Sequence, residues 1–264
     1  MEISLNLEDP IKPSTTIWRY MDLTKFLDLI LNESIYLRRI DKFEDPYEGF
    51  ISEAYQKDLA AQYEEVQQDY WISGDTRDSL HNGHLQALKL MPQYAYASCW
   101  YLGDIESAAM WKLYGGTNNC VAIRTTIYDL QVAFDESDDD DLGVMHLRPI
   151  RYVDESSSVD AKNYLKPMFE KRKSFAHENE FRALYLLRKG YVNLCVPTVS
   201  NLSNTNEVGN KDGITFEIDV HKLINQVVIS PTADPYFHSI VEKVIELAGF
   251  DGIECVQSRL YTLK

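Results

Sequence analysis

Lys171-Arg-Lys-Ser-Phe-Ala-His-Glu-Asn-Glu-Phe-Arg-Ala-Leu-Tyr185 runs from a basic, helix-like segment into an alternating one, and the reading of that junction decides how the rest of the chain is arranged. As a strand of period two, Glu178, Glu180 and Arg182 project to one face and Asn179, Phe181 and Ala183 to the other. The plain reading is a solvated strand face on which a Glu and an Arg pair. The functional reading is a site, because residues 162–189 hold eight Lys or Arg against three Glu and so offer a basic patch to an anionic ligand.

Around that junction, composition bounds the answer. A chain of 264 residues with 45% hydrophobic and 12% aromatic residues has enough apolar surface to bury a sizeable core without staples. A net charge of -15 repels phosphates on average, which disfavours a broad nucleic-acid or anionic-lipid footprint. Cys99, Cys120, Cys195 and Cys255 are widely spaced, with no Cys-x-x-Cys pair and no signal-like apolar start, so a reducing cytoplasm is the expectation. No stretch approaches the roughly 20 apolar residues of a membrane span.

Upstream of the junction, residues 15–20 are β-prone and carry Arg19 between Trp18 and Tyr20. Asp22 then caps a helix to about residue 32, with Leu23, Phe26, Leu27, Ile30 and Leu31 on one stripe. A strand over 34–40 leads to a turn, Phe43-Glu-Asp-Pro-Tyr-Glu-Gly49. Residues 51–91 read as a helical insertion, one helix over 51–70 and another over 77–91. His81 and His84 fall one turn apart there, but no further ligand at sensible spacing completes a zinc set. A strand over 93–100 contains Ser98 and Trp100, a short helix over 105–114 carries Met110, Trp111 and Tyr114, and an apolar strand covers 119–125.

The acidic run 135–141 reads as a loop, 146–153 as a strand, 156–174 as helix despite Pro167, 190–199 as a strand and 201–213 as a loop. Strands over 213–219 and 227–230, a helix over 236–248 and a closing strand over 253–260 complete the chain. The pattern predicts one α+β domain over 1–264, with helices packed on a mixed, mostly antiparallel split β-sheet. There is no Walker loop, dinucleotide fingerprint or nucleophile elbow.

Trp18-Arg-Tyr20, Phe43-x-Asp45-Pro46-x-Glu48-Gly49, Met110-Trp111-x-x-Tyr114, Glu178-x-Glu180-x-Arg182 and Val256-x-Ser258-x-Leu260, taken in order, resemble a prokaryotic domain-of-unknown-function family, DUF2971. His177 stands where that pattern has an aromatic residue. More distantly, the layout resembles the ADP-ribosyltransferase superfamily, particularly its DNA-targeting toxin branch. That resemblance implies a split-sheet fold, NAD as substrate, an unknown acceptor, and a defence or toxin role. Carried over, Arg19 matches the first site position, Ser98 or Trp100 the second, and Glu180 or Glu178 the third.

The chemistry that such a site requires is coherent. A guanidinium such as Arg19 grips a pyrophosphate, while Trp100, Trp111 or Tyr114 stack on a ring. Glu180 steadies the oxocarbenium charge of glycosidic cleavage, Glu178 activates an acceptor, and Arg182 or residues 171–173 hold phosphate. On this reading Glu180→Gln abolishes NAD turnover and hardly moves the melting temperature. Two alternatives stand beside it: a non-catalytic binding module on the same fold, and a nuclease with Asp45, Glu48, Glu178 and Glu180 around magnesium.

Overall fold

The computed structural model describes residues 2–5, 11–115, 119–135, 143–154, 161–188, 211–250 and 252–263. Most of the acidic run, the expected strand at 190–199, residues 201–210 and Cys195 lie outside the described residues. The fold is α+β, built on a ten-stranded, mostly antiparallel mixed sheet.

The strands are β1 (Glu2–Leu5), β2 (Thr16–Asp22), β3 (Ser34–Arg39), β4 (Ala95–Leu102), β5 (Cys120–Thr126), β6 (Gly143–Pro149), β7 (Arg151–Val153), β8 (Glu170–Arg172), β9 (Glu180–Leu187), β10 (Gly213–Glu217), β11 (Gln226–Ile229) and β12 (Glu254–Gln257). The main path runs β1-β6-β9-β4-β2-β5-β11-β12, while β7 and β8 form a separate parallel pair. Among the described residues only β1 with β6 and β11 with β12 are parallel within the large sheet. The helices are α1 (Leu23–Asn32), α2 (Glu53–Tyr70), α3 (Gly74–Leu90), α4 (Ala108–Gly115), α5 (Ile127–Asp135), α6 (Val220–Leu223) and α7 (Pro235–Leu247).

The sheet divides at β4. Its last residues, Tyr101 and Leu102, pair with Trp18 and Ile17 of β2. Its first residues, Tyr96 and Ala97, pair along the same edge with Arg39 and Arg38 of β3, which in turn pairs with β10. Ser98, Cys99 and Trp100 therefore face a gap between two diverging strands.

Local chemistry sets the elements. The Asp22 carboxylate accepts the Lys25 N–H at the start of α1, and the helix stops at Glu33, whose φ of 45° is left-handed. Phe26, Leu29 and Ile30 bury one face of α1 over β2, β3 and β5, each side chain contributing roughly 1.5–3 kcal/mol. Ser52 and Ser73 cap α2 and α3, and Asp234 caps α7 ahead of Pro235.

Two expectations are corrected. The helix expected over 156–174 is instead, where described, turns, a 3-10 turn Lys166–Met168 and β8, because Pro167 cannot donate and interrupts any helix there. Glu178 is not on the strand with Glu180: it ends a 3-10 segment, Lys173–Glu178, and Asn179 at φ 36° turns the chain into β9.

Candidate functional site

Register assigns each side chain to a face, since directly opposed residues on paired strands project to the same side. Tyr101 lies opposite both Trp18 on β2 and Glu180 on β9. Cys99 lies opposite Arg182, and Trp100 opposite Phe181. Trp18, Cys99, Tyr101, Glu180 and Arg182 thus share one face, and Arg19, Ser98 and Trp100 share the other.

The face of Glu180 carries a buried ion network. Arg182 Nε donates to Glu180 Oε1 at 2.6 Å, and Arg182 Nη1 pairs with Glu48 Oε2 at 3.0 Å and donates to the Met168 carbonyl at 2.6 Å. Lys171 Nζ, from β8, lies 2.7 Å from Glu180 Oε2, 2.6 Å from Glu178 Oε2 and 3.0 Å from Glu48 Oε1. The Phe43 ring covers the Arg182 guanidinium, and Arg172 binds Asp45. Glu48 and Asp45 also wall a cavity of about 470 Å³ beside Phe43, Phe50 and Pro92.

Burial alone would raise the Glu180 carboxyl, but Arg182 and then Lys171 overcome it and bring it down to about 2. Burial pulls the Lys171 ammonium down, and Glu180, with Glu48, more than reverses this. Burial first, and then nearby Glu180, push the Cys99 thiol well above its usual range. Of the four carboxylates of the metal reading, Glu48, Glu178 and Glu180 converge on Lys171 Nζ, while Asp45 pairs with Arg172. Among the described residues no group of three or more His, Cys, Asp or Glu side chains is placed to hold a metal ion.

Trp18, Tyr20, Met110 and Trp111 fill a small core between α4 and the sheet, with Cys120, Ala122 and Val228. Their polar atoms are taken. Trp18 Nε1 donates to the Gly103 carbonyl at 2.8 Å, the Ser107 N–H donates to Tyr20 Oη at 2.7 Å, and Trp111 Nε1 donates to Glu106 Oε2 at 2.7 Å. Trp111, expected to stack on a cofactor, is core. Tyr114 is 44% exposed, near Glu178, Lys171 and Glu180, and burial raises its phenol.

The opposite face presents a different set. Half-buried Arg19 reaches across the gap, its Nη2 donating to the Tyr36 carbonyl of β3 at 3.1 Å while its guanidinium sits 5.7 Å from the Trp100 ring centroid. Among the described residues it has no ion pair. Burial lowers it to about 10, offset in part by Cys99 and Asp28. On the same face, the Ser98 hydroxyl and the Trp100 indole N–H are buried with no hydrogen-bond partner among the described residues. Three donors, one cationic, are gathered where the strands part.

The structure therefore joins Arg19, Ser98 and Trp100, separately joins Glu178, Glu180, Arg182 and Tyr114, and does not join the two sets. Lys171 was legible in sequence only as part of a basic cluster; that it would centre the acids depends on β8 returning beside the Glu48 turn. No family model, no characterised protein and no solved structure matches this chain.

Proposed function

We propose that the chain is a binding module that takes a nucleotide-like anion, NAD or ADP-ribose among them, at the split of its sheet, with Arg19 as the grip on phosphate and Glu180 as part of the frame. The observation that carries this reading is a contrast between the faces: on one, among the described residues, a guanidinium with no ion pair beside two buried donors without hydrogen-bond partners, and on the other a carboxylate ion-paired with two cations. A buried polar group without a partner calls for a ligand, ion or water. A guanidinium with free N–H groups suits a phosphate or pyrophosphate. Glu180, by contrast, already has both oxygens committed to cations.

An NAD-consuming transferase, which the resemblance implies, is the second reading. It is supported by β2, β4 and β9, which carry Arg19, Ser98 and Glu180, lying side by side in the sheet. It requires the guanidinium and the carboxylate to meet one substrate, and the register sets them on opposite sides.

Calorimetric titration of NAD and of ADP-ribose into the full chain and into Arg19→Ala tests the proposal. The expected result is binding by the wild type, weakened roughly ten- to hundredfold in the variant, the scale of lost charge-assisted hydrogen bonds. Equal affinity in both proteins, or none in the wild type, overturns it.

A further inference from the structure

The helical hairpin of α2 and α3 is anchored at one end only. The buried residues of α2 are Tyr55 and Leu59, and those of α3 are Gly83, Ala87 and Leu88. Residues 60–70 then carry α2 roughly 16 Å further at 1.5 Å per residue. The seam holding the distal halves together is polar: Tyr63 Oη meets His84 Nδ1 at 3.2 Å and packs edge-on against His81, and Arg77 Nη1 donates to Gln67 Oε1 at 2.9 Å. The two histidines thus belong to a helix seam.

At the tip the chain exposes large apolar side chains. Trp71 is 93% exposed and Tyr70 75%, whereas Trp18, Trp100 and Trp111 are 6%, 1% and 5% exposed. Trp71 holds the left-handed position that ends α2, at φ 56°, where a glycine or asparagine would sit with less strain. Val66 precedes the seam residue Gln67 by one position, and Leu80 precedes His81 by one. Because the helices are antiparallel, that shared offset puts both on one flank, continuous with Tyr70, and both are partly exposed at 37%. An exposed aromatic and aliphatic strip of this kind marks an interaction surface.

Charge identifies the partner. Between residues 60 and 78 there are five carboxylates, Glu64, Glu65, Asp69, Asp75 and Asp78, against Arg77 alone, on a chain of net charge -15. Such a tip repels nucleic acid, an anionic membrane and the tip of a second copy. We infer that the hairpin tip is a docking finger whose Trp71, with Tyr70 and Val66, enters an apolar cleft rimmed by Lys and Arg on a partner protein. This inference is independent of the anion site at the split.

The test pans a random peptide display library against the full chain, then titrates an enriched synthetic peptide by calorimetry into the wild type and into Trp71→Ala. Peptides combining Lys or Arg with aliphatic or aromatic anchors are expected to enrich. Their binding falls roughly thirtyfold in Trp71→Ala, the scale of a hot-spot residue, and weakens as salt rises. Circular dichroism of Trp71→Ala should match the wild type, because the side chain packs on nothing it would unfold. Failure of any such peptide to enrich, or equal binding to Trp71→Ala, overturns the inference. So does a blue shift of the tryptophan emission on vesicles of phosphatidylcholine and phosphatidylglycerol, or concentration-dependent self-association, that Trp71→Ala removes.

Discussion

Arg19 and Glu180 lie on strands separated by β4 alone, yet their side chains leave the sheet in opposite directions, because Tyr101 is opposed to Trp18 on one edge and to Glu180 on the other. A shift of one residue in either pairing would have brought guanidinium and carboxylate together. The register as it stands puts the guanidinium on the face of Ser98 and Trp100 and the carboxylate among Lys171 and Arg182.

Glu180→Gln is expected to destabilise the fold by about 3–5 kcal/mol, because it removes a buried carboxylate whose two oxygens hold Arg182 at 2.6 Å and Lys171 at 2.7 Å. Lys171→Met is expected to cost a similar amount at pH 7, because it leaves Glu48, Glu178 and Glu180 close together without the cation that separates them, and to recover part of it in acid. Urea unfolding at several pH values measures both. Loss of less than about 1 kcal/mol in either variant would show the network to be peripheral.

Trp111→Ala should cost about 3–5 kcal/mol through the cavity it leaves among Trp18, Tyr20 and Met110. ADP-ribose affinity at a temperature where the variant is folded should not change. Paired thermal melts and titrations read the two effects separately, and weakened binding in the folded variant would return Trp111 to the ligand site.

His146 is buried beside Arg148, and burial first, then that charge, lowers its imidazole from 6.5 to about 4. The unfolded chain takes up a proton first as pH falls, so this group stabilises the fold above about 6.5 and loses that contribution progressively down to about 4. The size is up to about 3 kcal/mol. Glu180 acts lower: its depressed carboxyl stabilises above its unfolded value of 4.5 and loses this as pH falls toward 2. His146→Leu should flatten the limb between pH 6.5 and 4 and leave the lower limb in place, as pH-dependent denaturation would record.

Much of the fold was legible because it follows local pattern. The Asp22 cap and the Leu23, Phe26, Ile30 stripe locate α1, and the spacing of Tyr55 and Leu59 locates α2, whose start at Glu53 falls two residues after the expected one. Ile127, Leu130 and Phe134 at helical spacing carry α5 and went unread between a strand and the acidic run. What failed was non-local. Period two was extended back through Asn179, whose positive φ no side-chain alternation reveals, and so Glu178 was placed on β9. Arg19, Ser98, Trp100 and Glu180 were each singled out from their types, but which of them meet is fixed by strand pairing. Exposure of Trp71 depends likewise on how far the hairpin outruns the body.

Incubation of the full chain with nicotinamide-labelled NAD, followed by separation of bound NAD from free nicotinamide, bears most directly on the division between Arg19 and Glu180. The account predicts NAD retained by the wild type and by folded Glu180→Gln, lost from Arg19→Ala, with no nicotinamide released by any of them. Steady release of nicotinamide by the wild type that vanishes in a stably folded Glu180→Gln would contradict it.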